Sequence, residues 1–289
     1  MYQRFRTALP LLLLVVCLPV AAQTRPDMVH TEVLPTEQRP IPFSHLRESD
    51  VVWSTMLWKT IDLNEAFNQY MYFPLDQGDR SGKKSLAYVL WEAMEREEIP
   101  IYEDDELLIP IDNQLFVQRY TKADTVQLEI GYDDDDNEIY ETVITPKYFD
   151  GAEVFQYALR EAWFIGKQDT RQDSRRLALA PMKDVTITLK STREDVYMGR
   201  AALFWVPMQH PSVRAVLARQ KAYYDENNII NQPSWDDIFI KQLYNAFVTR
   251  ESNRYERTIN RYLVGKDALI EAAAIEEKVF EIGEDMWEY

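Results

Sequence analysis

Between Val51 and Glu65, in the stretch VVWSTMLWKTIDLNE, the apolar residues Trp53, Met56, Leu57 and Ile61 recur at intervals of three and four. That spacing predicts one face of an amphipathic helix, with Ser49 or Asp50 as its cap. On a regular helix Trp53 and Trp58 stand about 140° apart, so one face cannot hold both. One indole is then expected in the core, and the other against a second element or a partner. A second short helix over Asp62 to Asn68 would end at the aromatic run YMYFP, Tyr70 to Pro74. The next helix is clearer, because Leu86, Val89, Leu90, Ala93 and Met94 share a face opposite a mostly acidic one.

From Leu107 to Tyr148 the period shortens. QLFVQRY, TVQLEIGY and EIYETVIT read as strands rich in β-branched and aromatic residues, with the acidic run Asp133 to Asp136 as a hairpin turn between two of them. Glu153 to Phe164 reads as helix again, on the alignment of Phe155, Leu159 and Trp163. LALAPMKDVTITL and RAALFWVPM supply two more strands. From Pro211 onward the pattern is helical: Val213 to Tyr223, Ser234 to Phe247 opened by a capping-box pair Ser234 and Asp237, and Asp267 to Phe280. The last carries a stripe of Leu269, Ala272, Ile275, Val279 and Ile282. The expected class is α+β: a mixed helix-and-antiparallel-sheet body over 45–209, followed by a helical C-terminal region over 210–289.

The N-terminus reads differently. Arg4 and Arg6 precede an apolar run from Ala8 to Val20, and Val20, Ala21 and Ala22 form a small-residue exit. This is the pattern of a secretory signal peptide over 1–22, and the run falls short of the ~20 residues of a spanning helix. Residues 23–44 hold Pro26, Pro35, Pro40 and Pro42 and read as an extended arm. Cys17, the single cysteine, lies inside the leader. The exported product would therefore have neither disulfides nor zinc–thiolate sites.

A chain with 46% hydrophobic residues has a folding composition, and a net charge of −16 makes nucleic acid and anionic lipid poor partners. Basic proteins suit it better. Candidate chemistry is scarce. The three histidines, His30, His45 and His210, are isolated and show no metal-ligand spacing. GDRSGKKS, from Gly78 to Ser85, encloses three residues between its glycines where a phosphate loop needs four. The run starting at Asp133 puts Glu138 where a calcium loop needs glycine, and Ile144 where it needs glutamate. With 48 carboxylates, no chosen pair singles out a glycosidase site. One feature contrasts with the acidic background: RQDSRR, with Arg171, Arg175 and Arg176. It reads either as a loop balanced by Asp169 and Asp173 or as a cationic surface that docks onto an acidic one.

Five segments taken together carry a resemblance: RPIPFSHLRESDVVWSTMLWKTIDLNEAFNQYMYFP, ALREAWFIGKQDTRQDSRRLALAPMKDV, LFWVPMQHPSVRAVLARQKAYYDENN, SWDDIFIKQLYNAFVTRESNRYERTINRYLVG and EDMWEY. In this order, with the W-x4-W-[KR]-x-I-D-L element at Trp53 to Leu63, the chain resembles the GldN/PorN family of gliding-motility and type IX secretion proteins of the Bacteroidota. Ala162, Ile165 and Gly166 depart from the family pattern. The resemblance implies a non-enzymatic structural subunit without cofactor. It would lie in the periplasm at the inner face of the outer membrane, forming a ring with a GldK/PorK-like lipoprotein. A GldM/PorM-like motor component is a further implied partner. It transfers no catalytic residue. Trp53, Trp58, Arg171, Arg175 and Arg176 are the candidate partner-interface residues. The competing classes are a periplasmic carboxylate-dependent glycan or cell-wall enzyme, expected to show two converging carboxylates in a cleft, and a soluble chaperone with a large apolar groove.

Overall fold

The computed structural model describes residues 40–75, 83–121, 124–132, 138–145, 148–167, 172–188, 195–224, 232–255 and 257–285. The expected signal peptide, the arm up to residue 39, most of the glycine–lysine loop, the Asp133 to Asp136 turn and Arg171 lie outside the described residues.

The protein is α+β. Its centre is an antiparallel sheet in the order β10-β1-β6-β7-β8, formed by β1 (Val51–Asp62), β6 (Val154–Gly166), β7 (Gln172–Thr188), β8 (Asp195–Ala202) and β10 (Phe247–Glu251). The two-residue β9 (Val206–Pro207) pairs with β7. Separate hairpins are made by β2 (Ile101–Tyr102) with β3 (Pro110–Ile111), and by β4 (Asp124–Tyr132) with β5 (Glu138–Thr145). The helices are α1 (Gln69–Tyr72), α2 (Leu86–Glu95), α3 (Asn113–Tyr120), α4 (Pro211–Arg219), α5 (Trp235–Lys241) and α6 (Lys266–Asp285).

Four expected elements are corrected. Val51–Asp62 is a strand, not a helix. Its odd positions, among them Leu57 and Ile61, enter cores on one face. Its other face is covered in part by residues 102–107, where Leu107 and Tyr102 pack with Ala158, Ala178 and Ala180. A strand covered on both sides loses its polar alternation, and the leftover apolar positions can mimic helical spacing. Val154–Gly166 is likewise a strand. Phe155, Leu159 and Trp163 are four apart, and an even interval also keeps side chains on one face of a strand. Conversely, Asn113–Tyr120 is helical: the Asp112 carboxylate caps it by accepting from the Leu115 amide at 3.0 Å. Finally, the helix expected to reach Phe247 stops at Lys241, where Gln242 takes a left-handed conformation (φ 53°, ψ 45°) and releases the chain into β10. The capping box at its start is formed, with Ser234 Oγ accepting from the Asp237 amide at 3.2 Å and Asp237 Oδ2 accepting from the Ser234 amide at 3.1 Å.

Two cores share the odd face of the sheet. The larger packs α2, α4 and α5 through Leu86, Leu90, Met94, Leu217 and Trp235 against Ile61, Tyr157, Leu159 and Leu179. Burying each such side chain stabilises the fold by about 1.5–3 kcal/mol before chain entropy is counted. The smaller packs Ala272, Ile275 and Val279 of α6 on Leu57 and Val248, with Trp53 and Trp163 at its margin.

Candidate functional site

Trp53 is half-buried against the α6 core. Trp58 projects from the opposite face and is built into a clamp. Register places it beside Arg250 on β10 and Arg160 on β6. The two guanidinium carbons lie 3.6 Å and 5.6 Å from the indole centroid. Its ring N–H donates to Asp105 Oδ2 at 2.5 Å, Arg250 donates to the same oxygen at 2.6 Å, and Arg160 donates to the Asp105 carbonyl at 2.9 Å. Three strands thus fasten the loop that leads to exposed Leu108 and Ile109. Asp104 fixes that loop from within, because its carboxylate accepts from the Leu108 and Ile109 amides at 2.8–3.1 Å. Slight desolvation raises the Asp104 pKa, but these backbone bonds outweigh it and hold the carboxyl below its usual range.

Arg175 and Arg176 make their hydrogen bonds within the chain, Arg175 at the surface and Arg176 in the interior. Arg175 donates to the Ser44 carbonyl at 2.6 Å and lies over the rings of Phe43 and Phe164, so it holds the end of the prolyl arm against the sheet. Arg214 also stacks on Phe43, at 4.2 Å from the ring centroid. Arg176 is buried beneath the sheet surface with Glu161, whose Oε1 it meets at 3.4 Å. Tyr244 donates to the same oxygen at 2.8 Å, the Trp163 indole donates to Oε2 at 3.0 Å, and Lys59 lies 3.6 Å away. Burial raises the Tyr244 phenol pKa well above its ordinary value, and the Glu161 charge adds to this. The network fills the seam between the two cores.

Among the described residues the deeply buried carboxylates are Glu161 and Asp236, and each is paired with an arginine: Arg176 for the first, and Arg214 for the second at 2.8 and 3.0 Å. In the open groove beside α3 and α4, Glu97 accepts from Gln114, Glu98 pairs with Arg219, and His210 caps α4. These carboxylates are engaged with neighbouring side chains. Among the described residues no group of three or more metal-type side chains converges, and no helix is long and apolar enough to cross a membrane.

One group of exposed cations lies elsewhere. Arg254, Arg257 and Arg261, between β10 and α6, and Lys266 at the start of α6 face solvent alongside Tyr255 and Tyr262. Sequence reasoning passed over them, although four cations at intervals of three to five in an acidic chain were the available signal.

Comparison with known proteins gives one family. The family described as "Gliding motility associated protein GldN" matches residues 46–288. No curated protein matches the chain.

Proposed function

This chain belongs to the GldN family of gliding-motility-associated proteins, and on that premise we propose that it is a non-enzymatic structural subunit of the type IX secretion machinery and, in gliding species, of the motility apparatus. It acts in the periplasm, forming a ring under the outer membrane with a GldK/PorK-like lipoprotein and meeting a GldM/PorM-like motor component. The observation that carries this reading is the extent of the family match, residues 46–288. The arginine-neutralised state of Glu161 and Asp236 supports it, since a glycosidase would leave one acid free to protonate and another free to attack.

The test is sedimentation of a gentle detergent extract of the native cell envelope, joined to a deletion strain. Co-migration with a single lipoprotein in a very large outer-membrane assembly, with loss of type IX export on deletion, is the expected result. A free periplasmic monomer whose deletion leaves export intact would overturn the proposal.

A further inference from the structure

The stretch between β10 and α6 carries a charge opposite to that of the chain as a whole. From Arg254 to Lys266 the sequence holds four cations and one acid, Glu256, in a protein whose net charge is −16. Arg254, Arg257, Arg261 and Lys266 are exposed, and none of them forms a salt bridge among the described residues. Nearby acids are engaged with other groups: Glu251 pairs with Lys278 at 3.2 Å, and Glu271 accepts from the Tyr262 hydroxyl at 3.4 Å. Asp267 stands in the first turn of α6. Arg257 lies over Tyr255 and Tyr262, at 4.7 and 6.0 Å from the ring centroids. Stacking occupies the face of a guanidinium and leaves its N–H edge free to donate two parallel bonds to a carboxylate.

Beside these cations is a cavity of about 100 Å³, walled by Phe247, Val248, Ile259, Gly265, Ala268 and Leu269. Gly265 and Leu269 are exposed, so the cavity reaches solvent, and Lys266 adjoins it in sequence. Gly265 holds a left-handed conformation (φ 66°), and a Cβ there would meet nothing within 4 Å. An apolar cavity of about 150 Å³ accepts benzene, so this one is sized for a smaller group, such as the branched end of leucine or valine.

We propose that this turn docks an acidic segment of a different protein, one that carries a leucine or valine among its carboxylates. The aliphatic side chain fills the cavity, and carboxylates on either side of it meet Arg257, Arg261 and Lys266. Charge complementarity selects an acidic partner, and the cavity selects within that class. A flat anionic membrane fits less well. Lys266, Ala273, Glu277 and Glu284 recur at intervals of seven and four and share one exposed side of α6, so a bilayer pressed on the cations would also meet acids. A short peptide covers the cationic end alone. The inference rests on charge and shape and not on the ring reading, and either can fail without the other.

The experiment is fluorescence anisotropy of a labelled peptide, Glu-Asp-Glu-Leu-Asp-Glu, titrated with the purified full chain at low salt and at about 0.5 M salt, where the Debye length is only a few ångströms. The expected result is saturable one-to-one binding, with a Kd on the order of 10–100 μM that weakens with salt. Glycine in place of the probe's leucine lowers affinity about tenfold, as expected for one buried side chain. The Arg257→Glu/Arg261→Glu variant loses about tenfold or more, with an unchanged thermal melt. No binding up to about 1 mM overturns the proposal. Equal affinity for the leucine and glycine probes overturns it as well, since only non-specific attraction would remain. So does a probe affinity that the arginine variant keeps. Phosphatidylglycerol vesicles that bind more tightly than the probe, with loss in the variant, would reassign the cations to a lipid surface. Self-association that rises with concentration and disappears in the variant, read by sedimentation, would reassign them to a second copy. Either of these last two outcomes also overturns the proposal.

Discussion

Trp58 and Arg250 face each other across an antiparallel pair, with the guanidinium carbon 3.6 Å from the indole centroid and both side chains bonded to one oxygen of Asp105. A stacked cation of this kind contributes about 0.5–2 kcal/mol, and the indole N–H bond to a carboxylate about 1.5–3 kcal/mol. Trp58→Phe keeps a ring and loses the bond, so urea unfolding should show a destabilisation of about 2 kcal/mol. A double-mutant cycle with Arg250→Ala should show coupling, because both residues hold the same carboxylate. Additivity would mean that the stack is incidental.

Removing one partner of the Glu161–Arg176 pair leaves the other charge buried. Glu161→Gln is therefore expected to cost about 3–5 kcal/mol in chemical denaturation, offset in part because Arg176 also meets Tyr244 and Ser174. The double variant Glu161→Leu/Arg176→Met should recover most of this loss. If the double variant is as unstable as the single one, the network rather than the uncompensated charge sets the cost.

Tyr157 is fully buried, and its hydroxyl has no hydrogen-bond partner. Tyr157→Phe is expected to raise stability by about 1 kcal/mol, since it deletes an unmet polar group and little packing. A lowered thermal midpoint would reveal a bridging water.

Burial pushes the phenols of Tyr70, Tyr157 and Tyr244 well above the ordinary value of 10.0. The folded state therefore keeps these protons at pH values where the unfolded chain releases them. The stability linked to them is fully present below pH 10 and is lost as pH rises beyond it. Phenolate absorbance during an alkaline titration should show a group of tyrosines that ionise only as circular dichroism reports unfolding. Smooth titration of every tyrosine before unfolding would contradict this burial.

The sequence made some of this readable and hid the rest for identifiable reasons. Helix α2 reads as a helix because Leu86, Val89, Leu90, Ala93 and Met94 keep helical spacing even though only Glu92 and Glu95 escape full burial, the buried side of α6 shows a helical stripe beside its exposed acids, and the Ser234–Asp237 box is local chemistry. Strands β1 and β6 imitate helical spacing because core covers one face and the 102–107 segment part of the other. The Trp58 clamp could not be seen in advance: Asp105 lies 47 residues from Trp58 and 145 from Arg250 in sequence. Arg175 and Arg176 stood out as charges in the sequence. Only the fold reveals that Phe43, Ser44 and Glu161 engage them.

Strand β10 also bears on how the chain is made. Thr249 bonds to the Trp58 carbonyl across 191 residues of sequence, so β1 keeps an open edge until almost the whole protein has been synthesised. A product cut before Phe247 would keep that edge bare, flanked by Leu57 and Trp53 and stripped of α6. Such an edge templates pairing with other chains. C-terminal truncation should therefore yield aggregates and not a shorter folded protein, and a nascent chain of this kind needs protection until its last strand is in place.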